Sequence, residues 1–197
     1  MRPRLIVGVD EVGRGPWAGP VVAAAVALPT DNQIRGVKDS KLLSRQRRLE
    51  LASVIKQRAA GIGIGWASHE EIDRHGLSRA VQLSMQRAID QLSVDCGQLI
   101  IDGKINYLAN EYPEAQVIVK ADQTHSCVSA ASIVAKVARD SYMFKMAKIY
   151  PGYGFKKHVG YGTKLHIRRL HKYGPSDLHR VSFRPIWKAR IQQLSLV

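Results

Sequence analysis

Two short apolar runs constrain this chain more than anything else in it: residues 4–9, "RLIVGV", and residues 20–28, "PVVAAAVAL". Both are bounded by glycine or proline and fall far short of a membrane span, so they read as buried strands, arranged as a hairpin around a glycine-rich turn. The first run leads straight into Asp10 and Glu11, then into Gly13-Arg14-Gly15. A strand that served only a core would not normally end on two carboxylates beside bare backbone. Something charged is expected to approach there.

The rest of the chain alternates between helix and strand signals. "SKLLSRQRRLELASVIKQRAAG" reads as a basic helix ending near Gly61, and "IGIGWAS" as a third strand. Leu77, Val81, Met85, Ala88, Ile89 and Leu92 keep helical spacing. "QLIIDG" and "AQVIVKAD" are short strands ending in Asp102 and Asp122. Next comes one long helix, "SCVSAASIVAKVARDSYMFKMAKIY", with a small-residue face and Ser126 or Thr124 as its cap. "YPGYGFKKHVGYGT" reads as a loop and "KLHIRRLHKYG" as a last amphipathic helix closed by Gly174-Pro175. This order predicts an α/β fold, a mixed sheet flanked by helices on both faces. The expected organisation is one domain over residues 1–197, with about 145–197 as a small helical C-terminal subdomain that closes over a substrate.

Three predicted strands thus end in acid: Asp10-Glu11, Asp102 and Asp122. Ligands of open α/β sheets bind outside the carboxyl ends of strands. Acids gathered there repel unless cations lie between them, and hard oxygen ligands favour Mg²⁺ or Mn²⁺ over zinc. Two such ions about 3.5–4 Å apart can activate a water and stabilise a leaving oxygen in phosphodiester hydrolysis. Neighbouring strand residues point to opposite faces, so Asp10 and Glu11 share a site only if the strand ends there.

Charge points the same way. Lys and Arg number 30 against 16 Asp and Glu, a formal net charge of +14, which favours a polyanionic partner. Nucleic acid fits better than an acidic membrane surface. The apolar runs are too short for a signal peptide or a span, and the expected location is the cytoplasm. Cys96 and Cys127 are too far apart in sequence to make a metal-binding pair and read as buried thiols. Gly13-Arg14-Gly15 is not a dinucleotide fingerprint, and no Walker-type motif is present.

"DEVGRGPWAGP", "DSKLLS", "IDG", "KAD", "SAASIVAKVARD", "YPGYGF", "GYGT" and "HRVSF", in this order from Asp10 to Phe183, resemble the motif set of bacterial ribonuclease HII. The resemblance implies a ribonuclease H-like fold. It implies divalent-metal-dependent hydrolysis of RNA in RNA–DNA hybrids and nicking 5′ to single ribonucleotides in duplex DNA, leaving 3′-hydroxyl and 5′-phosphate ends. The family's four acids fall on Asp10, Glu11, Asp102 and Asp122, with Asp10, Glu11 and Asp102 as metal ligands. Gly13, Arg14 and Gly15 would lay their backbone against the 2′-hydroxyl at the RNA–DNA junction. Tyr161 matches a tyrosine that stacks on the following sugar, with Tyr153 as the alternative occupant. Ser40 and Lys41 are expected at phosphates.

Asp140 competes for the fourth acidic place, but it follows Lys136 by four and reads as an i,i+4 ion pair. Arg139 and Lys136 are candidates to reach phosphate, and His158 reads as a solvated loop histidine that could also touch phosphate. Lys104, Trp17 and the run Gln123–Cys127 depart from the family pattern. The tail places Gln193, Leu194 and Leu196 where they resemble a short sliding-clamp peptide. The chain is otherwise expected to act as a monomer. A nucleic-acid-binding module without catalysis is the second reading, disfavoured because uncompensated acids would repel phosphate.

Overall fold

The structure is a computed structural model that describes residues 5–30, 34, 36–37 and 43–194, with side chains to residue 191. Five strands form one sheet: β1 (Leu5–Val12), β2 (Val21–Pro29), β3 (Gly61–Ala67), β4 (Gln98–Asp102) and β5 (Gln116–Ile118). Their order is β3-β2-β1-β4-β5. β1, β2 and β3 pair antiparallel, while β1, β4 and β5 run parallel. The expected hairpin and mixed sheet are both present. The β1–β4 and β4–β5 parallel pairs point three strands the same way, and Asp102 ends the middle one.

Helices cover both faces. On one, α3 (Leu77–Asp90) packs Val81, Met85 and Ala88 against Val7, Val9 and Ala25. On the other, α1 (Arg45–Arg58) and α5 (Ser126–Ile149) bury Leu51, Ile55, Val128 and Ala131 against Ala24, Val26 and Ile100. The strand parity is therefore fixed by burial on both sides, and a one-residue slip would invert it.

α5 can lie this close to β1 because Gly8 has no side chain. A Cβ there would stand 2.3 Å from the carbonyl carbon of Cys127 and the nitrogen of Val128. Neither is a flexible atom, so the helix itself would have to move. Gly8→Ala should cost about 1–3 kcal/mol, read as a lower midpoint in urea unfolding. An unchanged midpoint would mean that α5 has slack against the sheet.

Local signals explain the boundaries. Ser44 accepts the Arg47 N–H at 3.2 Å, so the basic helix starts at Arg45. α2 (His69–His75) carries a full capping box, with Ser68 and Glu71 bonded to each other's backbone N–H. Neither Ser126 nor Thr124 caps α5: the N-cap residue is His125, with no side-chain cap bond. The reason is α4 (Ala121–Thr124), a short helix that brings the chain into α5 almost directly. Beyond α5 come a 3₁₀ turn (Pro151–Tyr153), α6 (Phe155–His158), α7 (Lys164–Tyr173) and α8 (Arg184–Leu194).

Candidate active site

Two of the sequence-predicted acids sit inside structure rather than at its ends. β1 continues through Val12, pairing Asp10 with Ala24 and Glu11 with Ala23. The strand does not stop to let both carboxylates share one face. Asp10 has the parity of Gly8, toward α5, whereas Glu11 has the parity of Val7 and Val9. Asp102, two residues past Ile100, shares the α5 face. Val9 is level with Ile101, so continuing the register sets Asp10 beside Asp102 on neighbouring parallel strands.

Asp122 is also displaced from expectation. β5 ends at Ile118, and Lys120 adopts the left-handed region at φ 59°, which breaks the strand. Asp122 is therefore a buried residue of α4, not a strand terminus. It still comes to the same end of the sheet, because Asp102 Oδ1 accepts the Ala121 N–H at 2.7 Å. Ser129 Oγ of α5 donates to the Asp122 carbonyl at 2.5 Å.

Electrostatics follow from this geometry. Asp10 accepts the Glu11 N–H at 2.7 Å and is 5% exposed. Burial, then the neighbouring Glu11 and Asp102 charges, push its carboxyl well above the usual range, against a smaller opposing hydrogen bond from Ser132. Burial also raises Glu11, opposed by Arg14, whose Nη1 lies 3.2 Å from Glu11 Oε1. Asp102 raises Glu11 as well, so the two faces remain in electrostatic contact at this end of the sheet.

The glycine loop is held from beneath by two buried arginines. Arg180 donates to the carbonyls of Gly13 (2.6 Å), Arg14 (3.0 Å) and Gly19 (2.9 Å). Arg139 donates to those of Pro20 (2.9 Å), Ala18 (3.1 Å) and Val159 (3.0 Å). A trans peptide points its N–H opposite to its C=O. Fixing the Gly13 and Arg14 carbonyls inward therefore aims the N–H groups of Arg14 and Gly15 outward. Gly13 has φ +99°, and a Cβ there would meet Arg139 Nε at 2.4 Å, so glycine is required.

Sequence reading missed Arg180, although "HRVSF" contained it, and Arg139 is a strut rather than a phosphate contact. Burial pushes Arg180 down to about 9, with Arg139 adding to the effect, so it stays protonated at neutral pH. Asp73 of α2 accepts the N–H groups of Val181 and Ser182 at 2.9 Å each, pinning the Arg180 segment.

Tyr161 stands exposed beside Gly15, 3.8 Å from the position of a Cβ there. Lys136 Nζ lies 5.9 Å from its ring centre. Tyr153, by contrast, is buried with its hydroxyl donating to Gly174 O at 2.8 Å, which removes it as the alternative. Lys136 and Asp140 form the expected ion pair at 2.8 Å. His158 is neither solvated nor free for phosphate: it is buried under the Tyr161 loop. Cys127 is buried, which pushes its thiol up to about 11, and Cys96 is half-buried. Ser40, Lys41 and Leu196 lie outside the described residues, as do the side chains of Gln193 and Leu194.

The acids suit a hard cation. Asp10 and Asp102 offer only oxygen donors from adjacent strands, and the raised Asp10 carboxyl is what a nearby positive charge would relieve. Among the described residues no group of three acids, histidines or cysteines is already gathered to hold a metal ion. That is compatible with Mg²⁺ or Mn²⁺, which use one or two carboxylates and complete their shell with waters and substrate phosphate oxygens. Among the described residues no helix is long and apolar enough to cross a membrane.

Comparison with known proteins agrees with this geometry. The sequence model of the family described as Ribonuclease HII matches residues 7–188. A curated Ribonuclease HII of Chromohalobacter salexigens is 46% identical over 181 residues, covering 92% of this chain and 90% of that protein. The crystal structure of ribonuclease H2 from Pyrococcus horikoshii OT3 superposes with a TM-score of 0.81 at 28% identity, covering 95% of this chain and 98% of that one. Bst-RNase HIII in complex with Mn²⁺ has a TM-score of 0.73 at 21% identity, covering 95% and 70%, and shares the fold. The matched span takes in both the strand carrying Asp10 and the segment carrying Arg180, and the chain belongs to the ribonuclease HII family.

Proposed function

We propose that this ribonuclease H hydrolyses the RNA strand of RNA–DNA hybrids and nicks duplex DNA 5′ to a single embedded ribonucleotide, leaving 3′-hydroxyl and 5′-phosphate ends. One observation carries the junction reading. The outward-aimed N–H groups of Arg14 and Gly15 stand next to exposed Tyr161, at the same end of the sheet as Asp10 and Asp102. A 2′-hydroxyl oxygen can accept from those N–H groups, and a deoxyribose offers no such oxygen. Tyr161 gives the next sugar a flat apolar face.

Asp10, Glu11 and Asp102 would hold Mg²⁺ or Mn²⁺, with Asp122 completing or tuning the acidic group. Two divalent ions there would supply a lowered pKa for the attacking water and positive charge against the departing 3′-oxygen. Arg14, 3.2 Å from Glu11, holds that side chain in place and favours its ionised form against the opposing effect of burial. In this reading the helices from about residue 145 onward belong to one catalytic domain, acting as a monomer in the cytoplasm. Gln193, Leu194 and Leu196 are offered as a sliding-clamp contact, to be dropped if deleting residues 193–197 leaves clamp co-elution unchanged.

The test is labelled duplex DNA carrying one ribonucleotide, incubated with Mg²⁺, Mn²⁺ or chelator. A single metal-dependent nick 5′ to the ribonucleotide is expected. Cuts in a long hybrid without that nick would keep the metal reading and remove the junction reading. Binding without cleavage of either substrate would favour the binding module.

A further inference from the structure

Three imidazoles that the reading above does not use lie together beneath the Tyr161 loop. His158, His166 and His179 are all buried. His158 and His166 stack with centroids 4.4 Å apart, and Trp17 covers His166 at 5.5 Å. Their partners fix their tautomers. His158 Nδ1 accepts the Gly160 N–H at 3.3 Å, so its proton is on Nε2, which donates to Tyr153 O at 3.0 Å. His179 Nδ1 accepts the Ser176 N–H at 2.9 Å, so its Nε2–H donates to His166 Nε2, also at 2.9 Å. His166 must then carry its proton on Nδ1, which donates to Tyr161 O at 3.0 Å.

A chain of bonds thus runs from Ser176 through two rings to the main chain of Tyr161. Burial pushes His166 down to about 4, with His158 adding to the effect, and pushes His179 down to about 3, with His166 adding, so both stay neutral at physiological pH. The neighbouring peptide is tied as well: Gly160 O accepts the Trp17 N–H at 2.8 Å, which joins the Tyr161 loop to the Gly13–Gly19 loop.

We infer that His166 is a positioning residue: its Nδ1–H on the Tyr161 carbonyl holds that ring against the sugar 3′ to the ribonucleotide and so sets the preference for an embedded ribonucleotide over continuous RNA. The inference rests on the junction reading of Tyr161 proposed above. A continuous RNA strand presents a ribose where the junction presents a deoxyribose, so a displaced ring penalises the junction substrate more.

Asparagine puts an amide nitrogen where the Nδ1–H donates, and glutamine puts its amide oxygen where Nε2 accepts. His166→Asn can keep the bond to Tyr161; His166→Gln loses it and keeps a polar group for His179. Both variants lose half the network, so a general loss of stability is common to them. Single-turnover rates would be measured on a duplex with one ribonucleotide and on a uniform hybrid, for wild type, both variants, Tyr161→Ala and Tyr161→Ala/His166→Gln. The junction-to-hybrid ratio should fall about tenfold in His166→Gln and in Tyr161→Ala, stay within about twofold of wild type in His166→Asn, and fall no further in the double variant. Equal ratios for Asn and Gln, or additive losses in the double variant, would overturn the role of His166. An unchanged ratio in Tyr161→Ala would overturn the junction reading itself, and the inference with it. If His166→Gln does not fold, ¹⁵N NMR on the wild type decides: a proton on His166 Nδ1 is expected, and one on Nε2 would overturn the proposal.

Discussion

Asp10→Asn should abolish cleavage and at the same time make the metal-free protein more stable. The loss is expected to exceed about 10³-fold, the worth of several kcal/mol of charge stabilisation at the reacting phosphate. The stability gain follows from the raised carboxyl. A group whose folded pKa lies above its ordinary value, here 3.8, stabilises the fold fully below that value and loses this contribution as pH rises through the folded pKa. At pH 7–8 an ionised Asp10 is therefore a cost, driven first by burial and then by Glu11 and Asp102. Asparagine keeps the shape and removes the charge. In chelator, the thermal midpoint should rise by about 2–4 °C for each kcal/mol relieved. Mg²⁺ or Mn²⁺ should stabilise the wild type and leave Asp10→Asn nearly unmoved, because a ligand stabilises only the state that binds it. A variant with normal turnover, or a wild type whose midpoint ignores the metals, would remove Asp10 from the ligand set.

The sequence made the sheet readable because burial pattern and turn chemistry agreed. The runs at 4–9 and 20–28 became β1 and β2, and "QLIIDG" became β4 with Asp102 at its end. What failed was local backbone detail at the acids. Nothing in "VDEVGRG" said that the strand would continue to Val12, because the pairing of Glu11 with Ala23 depends on β2. Nothing in "VIVKAD" marked Lys120 as left-handed, since lysine has no special tolerance for that region. α2 was legible and overlooked: Ser68 and Glu71 carry the spacing of a capping box.

The candidate site was legible in its acids and hidden in its supports. Asp10, Asp102 and Asp122 announced themselves as acids in apolar surroundings. Arg139 and Arg180 looked like two more positive charges in a chain of net charge +14. Only the fold reveals that both are buried and spend their donors on carbonyls. The histidines were obscure for a related reason: His158, His166 and His179 have no shared spacing, and only packing brings them together.

Arg180→Leu is the substitution expected to damage the fold around the site most. It removes the donors from three carbonyls, those of Gly13, Arg14 and Gly19, in a segment where Arg180 itself is 0% exposed. Each buried carbonyl left unpaired costs about 1–3 kcal/mol, and the bonds to Gly13 and Gly19 are the buried two, so a total of at least about 2 kcal/mol is expected in urea unfolding. Arg180→Lys separates charge from geometry. An ammonium keeps the positive charge but lacks the planar fork that reaches three carbonyls at once. It should recover part of the stability while leaving the Gly13 and Arg14 peptides less firmly turned. Those peptides carry the outward N–H groups, so the lysine variant should cut an embedded ribonucleotide more slowly than its folded fraction predicts. The deficit should be smaller on a long hybrid, where a 2′-hydroxyl is presented at every register. A lysine variant as stable as wild type and equally fast at a single ribonucleotide would mean that the guanidinium fork does not aim the junction-reading backbone. Loss of both activities in proportion to unfolding would reduce Arg180 to a support of the fold alone.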